Sequence, residues 1–198
     1  LTIGGTVFSP FVGALIVVGA LGMTGLGLGL VVYGRMKGVS RWVRAGVGLT
    51  LATVAGYGLV WVIGLVGTPR RALPLGEEVA FCGLDCHLHV SVVRIERAGD
   101  LGVVVRFRSN ARAADEFPGL LRLEVVDASG RRYQPSAGMI AEPLSAGEAI
   151  EREFRFSVPA EAQAPTLVVR SGGWLDYLVP GRGNPLAQER TRLALDRA

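Results

Sequence analysis

The chain has 198 residues, 49% of them hydrophobic, with a mean hydropathy of +0.38 and a formal charge of +4. That apolarity is high for a soluble domain, and it is concentrated: residues 1–34 and 45–69 contain no Asp, Glu, Lys or Arg. Arg35, Lys37, Arg41 and Arg44 between them account for the whole excess charge, because the other 17 basic residues balance the 17 acids; the rest of the chain carries no basic stripe with interleaved aromatics, which argues against a nucleic-acid footprint.

A bilayer core about 30 Å thick needs roughly 20 apolar residues of helix, and both charge-free windows exceed that. They predict two spanning helices, Phe8–Tyr33 and Ala45–Val66, joined by a loop over 34–44, so that residues 1–68 form a transmembrane hairpin. A cleaved signal peptide would start basic and hold a shorter apolar stretch; here Leu1-Thr2-Ile3-Gly4 is uncharged and a second span follows. Basic residues in short loops stay cytoplasmic. The loop is therefore expected inside, with the N-terminus and the large C-terminal domain in the periplasm of a bacterium and the hairpin in its inner membrane. Arg70 and Arg71 run against this rule, but long domains translocate largely regardless of charge.

Small residues recur at close-packing intervals: Gly25 and Gly29 on the first span, and Gly48, Ala52 and Gly56 on the second. Such spacing lets helix backbones approach within lipid. Two readings follow: these faces pack the hairpin against itself, or they dock other integral membrane subunits, lipid or pigment. Neither span contains an ionisable residue or a His, which argues against a proton relay, an ion pathway or haem ligation inside the membrane. Trp42 and Trp61 lie near the ends of the second span, as interfacial anchors do.

Residues 69–77, with Pro69 and Pro74 beside charges, read as a linker. Alternating apolar residues then predict short strands at His87–Ile95, Val103–Phe107, Leu121–Val125, Phe154–Val158, Thr166–Arg170 and Arg190–Leu195. Six or seven such strands separated by turn signals predict an all-β antiparallel sandwich over 78–198, with an extension from about residue 172.

The order of these pieces resembles a family. Glu142-Pro143-Leu144-Ser145-Ala146-Gly147-Glu148 followed by Phe154-Arg155-Phe156-Ser157-Val158-Pro159 is similar to the signature of bacterial extracytoplasmic telokin-like, immunoglobulin-like domains. The hairpin Asp127-Ala128-Ser129-Gly130-Arg131-Arg132-Tyr133 matches the Asp-x-x-Gly-x-x-Tyr element that precedes it there. Phe81-Cys82-Gly83-Leu84-Asp85-Cys86-His87 resembles the start of some membrane-anchored members. The likeness spans roughly residues 78–170 and departs at Ala146, where a Pro is frequent, and after Gly172. It implies a sandwich outside the cytoplasm and no particular activity.

The only dense cluster of metal-ligand types is Cys82, Cys86, His87 and His89, which could hold zinc or copper. A comparison with the subunit carrying the dinuclear copper centre of haem–copper oxidases fails in detail, because Val90 and Val93 stand where a His and a Met are required. In an oxidising compartment a Cys82–Cys86 disulfide is the better reading, with His87 and His89 on one strand face. Phosphate loops and serine triads are missing, and the acid pairs Asp115-Glu116 and Glu151/Glu153 read as solvated faces rather than a glycosidase pair. No catalytic residue and no cofactor is assigned.

The segment from Gly172 mixes Trp174 and Tyr177 with chain breakers, a composition found at interface hot spots, and reads either as a partner-binding loop or as simple packing over the open end of the sandwich. The sequence thus describes faces without chemistry. A non-catalytic accessory subunit of a larger respiratory or photosynthetic membrane complex is the first functional expectation. A stand-alone periplasmic binding or sensing module, or a copper or zinc protein, is the alternative.

Overall fold

The computed structural model describes residues 10–81, 87–138, 140–181 and 183–195. Two long apolar helices, α1 (Pro10–Met36) and α2 (Ser40–Val66), precede a β-sandwich of two five-stranded sheets. The helices outrun the apolar windows, leaving a turn of only Lys37, Gly38 and Val39 where the sequence predicts a loop over 34–44. Arg35, Arg41 and Arg44 lie in helix, since charge marks where lipid would end and does not stop a helix. The stop is Gly38 at φ +67°, with the Val39 N–H donating back to the Gly34 carbonyl at 2.8 Å, the bond of a Schellman terminus.

The first sheet has the order β1 (Arg71–Leu73), β10 (Thr191–Ala194), β9 (Thr166–Ser171), β5 (Leu121–Val126), β6 (Arg132–Tyr133). The second runs β2 (Val79–Phe81), β3 (Leu88–Ala98), β4 (Asp100–Ser109), β8 (Ala149–Phe156), β7 (Pro135–Ala137). Val90, Val92, Val103, Val105, Phe107, Phe154 and Phe156 of the second sheet pack against Leu123, Val125, Leu167, Val169 and Leu193 of the first. Phe107 and Phe154 meet edge to face, with ring centroids 6.2 Å apart. The register of β3 against β4 shifts between Val92 and Arg94, so the inward face passes from Val92 to Ile95. A bulge does this by adding one residue to a two-residue period.

The predicted linker holds a strand. Arg71–Leu73 pairs in parallel with Thr191–Leu193, the one parallel ladder among the described strands. A three-residue strand has too little alternation to announce itself, and β10 defines it across 120 residues of chain. Because β1 leaves α2 directly, the starts of β1, β10 and β5 and the end of β9 all lie at the end of the sandwich nearest the helices.

Several residues of the signature quoted above hold the fold. Asp127 is buried at the tip of the β5–β6 turn. Its carboxylate accepts from the Ser129 N–H and hydroxyl, the Arg131 N–H and guanidinium, and the Tyr133 hydroxyl, all at 2.6–3.0 Å. The Ser129 hydroxyl leads these donors in holding the Asp127 carboxyl far below its ordinary range. Gly130, at φ +83°, supplies the left-handed residue the turn requires. Leu144 is fully buried, and Glu148 accepts from the Ser145 N–H at 2.9 Å.

Candidate membrane-facing interface

Along α1 the sheltered positions include Gly13, Val17, Ala20, Thr24, Gly27, Val31 and Gly34, and along α2 Val43, Gly46, Thr50, Thr53, Tyr57, Val60 and Gly64. Steps of three and four alternate in both rows, the spacing of a left-handed helix pair. Small residues set the approach. A Cβ on Gly27 would collide with Thr50 Oγ1, one on Gly46 would lie 2.8 Å from the Val31 amide nitrogen, and one on Gly34 would lie 2.8 Å from that of Val43.

The glycines singled out from sequence lie elsewhere. Gly25, Gly29, Gly48, Ala52 and Gly56 are exposed, and a Cβ on any of the four glycines would meet nothing within 4 Å. Of the two readings of those faces, self-packing is therefore overturned: the hairpin closes through a different glycine set, and these faces point away from it. Gly13, Ala20, Gly27 and Gly34 recur every seven residues, the heptad spacing of a packed helix seam.

The end of the hairpin opposite its turn is capped by the C-terminal segment. Tyr57 Oη donates to the Leu178 carbonyl, and Trp61 Nε1 to the Tyr177 carbonyl at 2.9 Å. Gly13 and Gly64 admit Pro180 and Gly181 so closely that a Cβ would fall 2.6 Å from Pro180 O and 2.8 Å from Gly181 N. Asn184 Nδ2 donates to the carbonyls of Tyr177 and Val179, while its side-chain oxygen caps the short helix α3 (Pro185–Gln188) through the Leu186 N–H. The backbone of 177–179 is thus held by side chains, as an apolar setting demands. The side chains of its 3₁₀ turn, Trp174–Leu178, face outward: Trp174 is 73% and Leu175 56% exposed. Phe117 and Leu120, also exposed, stand nearby, because the Gly172 N–H donates to the Leu120 carbonyl at 3.0 Å. Tyr177 is therefore joined to the hairpin through its carbonyl, whereas Trp174, three residues earlier, presents its side chain outward. Trp61, read as an interfacial anchor, is a donor to this segment.

Charge gathers where α2 meets the sandwich. Arg190 Nη1 donates to the carbonyls of Val66 at 3.1 Å and Thr68 at 2.7 Å, tying β10 to the end of the helix. Glu189 is shared by Arg132 and Arg170, which also clamp the buried Glu124 on the outer face of the first sheet. Burial pushes the Glu124 carboxyl up, but the hydrogen bonds from Arg132 and Gln134 and the charge of Arg170 outweigh it, leaving it below its ordinary range.

Cys82 and Cys86, with the disulfide read for them, lie outside the described residues. His89 Nδ1 lies 3.3 Å from Glu78 Oε2. Glu78 is itself held below the usual carboxylate range, first by its hydrogen bond from Arg108. Immediately before β3, the His87 carbonyl accepts from the Asn110 N–H at 2.7 Å.

Neither a protein-family model nor a curated protein matches the chain. Among solved structures it is similar to an uncharacterised β-sandwich protein from Clostridium difficile 630, at 10% identity and a TM-score of 0.39, over 64% of this chain and 96% of that one. It is similar also to MPT63, a secreted protein from Mycobacterium tuberculosis, at 11% identity and a TM-score of 0.39, over 53% of this chain and 92% of that one.

Proposed function

We propose that the chain is a non-catalytic accessory subunit of a larger integral-membrane assembly of the respiratory or photosynthetic type. The outward placement of Gly25, Gly29, Gly48, Ala52 and Gly56 carries this reading. The hairpin completes its own seam without them, so they remain as smooth faces on which a further helix, a lipid or a flat pigment can seat. The basic turn around Lys37 supports a periplasmic sandwich, and the reading gives that sandwich the part of an extracytoplasmic, telokin-like brace for the assembly. The family-like residues favour bracing over chemistry, since Asp127, Tyr133, Leu144 and Glu148 are all engaged in the fold.

The test is a native gel in mild detergent of membranes expressing the chain with its natural neighbours. Co-migration with a large complex is expected, lost on Gly25→Leu plus Gly48→Leu while the purified variant melts no lower than the wild type. Migration of the wild-type chain alone would overturn the reading in favour of a stand-alone binding module.

A further inference from the structure

We propose that the foot of the sandwich binds the phosphate of an anionic phospholipid headgroup, in the pocket lined by Arg70, Arg71, Ala72, Leu186, Arg190 and Arg192. This rests on the bilayer placement of the hairpin and not on the subunit reading.

The pocket is a cavity of about 520 Å³. Ala72 stands opposite Arg192 in the parallel ladder, the Arg71 N–H donates to the Arg190 carbonyl at 2.8 Å just before it, and Arg70 and Arg190 line the same cavity. A small residue among arginines leaves the space. Arg70, Arg71 and Arg192 have no carboxylate partner among the described residues, whereas Arg106, Arg108, Arg131, Arg132, Arg152, Arg155 and Arg170 are all ion-paired. Glu189 also borders the cavity, but its carboxylate is taken up by Arg132 and Arg170 and does not oppose an anion. Guanidinium groups present paired donors that suit phosphate oxygens.

Position decides for lipid over a free anion. Arg190 is fastened to the last carbonyls of α2, so the arginines stand at the level where a spanning helix leaves the hydrocarbon. Leu186 lines the same cavity, and Val62, Ile63 and Val66 are exposed along the adjoining end of α2. A ligand that is anionic at one end and apolar at the other fits this combination. The site also gives a role to Arg70 and Arg71, whose charges otherwise sit on the wrong side for the topology.

The experiment is native mass spectrometry of the full-length chain released from detergent, with dioleoylphosphatidylglycerol or dioleoylphosphatidylcholine added and the first adduct titrated. Phosphatidylglycerol should bind at least about tenfold more tightly, given roughly one headgroup-scale charge interaction per basic residue. Arg70→Gln with Arg192→Gln should remove that preference, and Ala72→Phe, which fills the pocket and keeps every charge, should do the same. Arg35→Gln with Arg41→Gln, an equal charge loss at the other end of the hairpin, should change it by less than about twofold. Equal losses from both charge pairs, or full binding in Ala72→Phe, would overturn the site. Displacement of the lipid by excess inorganic phosphate would overturn the lipid as its ligand.

Discussion

Trp61 and Tyr177 lie 116 residues apart in sequence, yet the indole N–H of one donates to the backbone carbonyl of the other at 2.9 Å. Tyr57, four residues earlier on α2, reaches Leu178 in the same way. At 1.5 Å of rise per residue, Tyr57 sits about 14 Å along the axis from Val66, so the C-terminal segment descends well alongside the helix. The hairpin is thus fastened to its sandwich by more than the linking peptide.

That fastening has a measurable strength. Trp61→Phe removes one donor and keeps the ring, which should cost about 0.5–1.5 kcal/mol and lower the melting temperature in detergent by roughly 2–4 °C. Chymotryptic cleavage around Tyr177 and Leu178 should become faster than in the wild type. An unchanged melting temperature with unchanged cleavage would mean that the contact does not hold the segment.

The two glycine sets should respond with opposite sign. At Gly34 or Gly46 an added methyl meets backbone atoms within 3 Å, so alanine there forces the helices apart at a cost of about 1–3 kcal/mol. At Gly25 or Gly48 the same methyl enters open space, and the gain in helix propensity should stabilise the isolated chain by up to about 1 kcal/mol. Detergent-unfolding midpoints of the four single variants decide between this seam and the one drawn from the Gly25/Gly29 and Gly48/Ala52/Gly56 rows.

Acid should act on the sandwich through Asp127. Its carboxyl titrates far below the ordinary range because the Ser129 hydroxyl and its fellow donors favour the charged form. A depressed folded-state pKa gives stability that is complete above the unfolded value of about 3.9 and is lost as pH falls towards the folded one. Asp127→Asn should therefore lower the melting temperature by several degrees at neutral pH. The difference from wild type should shrink steadily once pH drops below about 4. A gap that persists unchanged in strong acid would refute the assignment.

The division into apolar helices and sandwich was legible because it depends on local pattern: charge-free windows for α1 and α2, and alternation for β4, β5 and β8. What escaped depends on distance. The strand Arg71–Leu73 exists only because Thr191–Leu193 lies beside it. The hairpin seam involves glycines that differ from Gly25 and Gly29 only in the direction they face. Glu124 alternates as a surface residue would, yet is buried beneath Arg132 and Arg170, since the segment around α3 covers that face of the sheet. The basic foot was half visible: Arg70 and Arg71 stood out as charges on the wrong side, but Arg190 and Arg192 join them only through the parallel ladder.

Trp174 separates a partner surface from simple packing. Its side chain is 73% exposed, while the bonds that hold its segment use the carbonyls of Tyr177, Leu178 and Val179. Removing the indole should leave the fold within about 0.5 kcal/mol of wild type, as for a surface position. If the outward side chains of this turn seat against a neighbouring subunit, Trp174→Ala should weaken co-migration with the complex at an unchanged melting temperature, and Tyr177→Ala should do so to a smaller degree, because it is less exposed and its anchoring carbonyl survives the substitution. Trp→Ala truncations at interface anchors cost about 2 kcal/mol or more, which corresponds to a loss of some thirtyfold in affinity. A Trp174→Ala chain that assembles as well as wild type would confine this segment to its role as the cap of the hairpin.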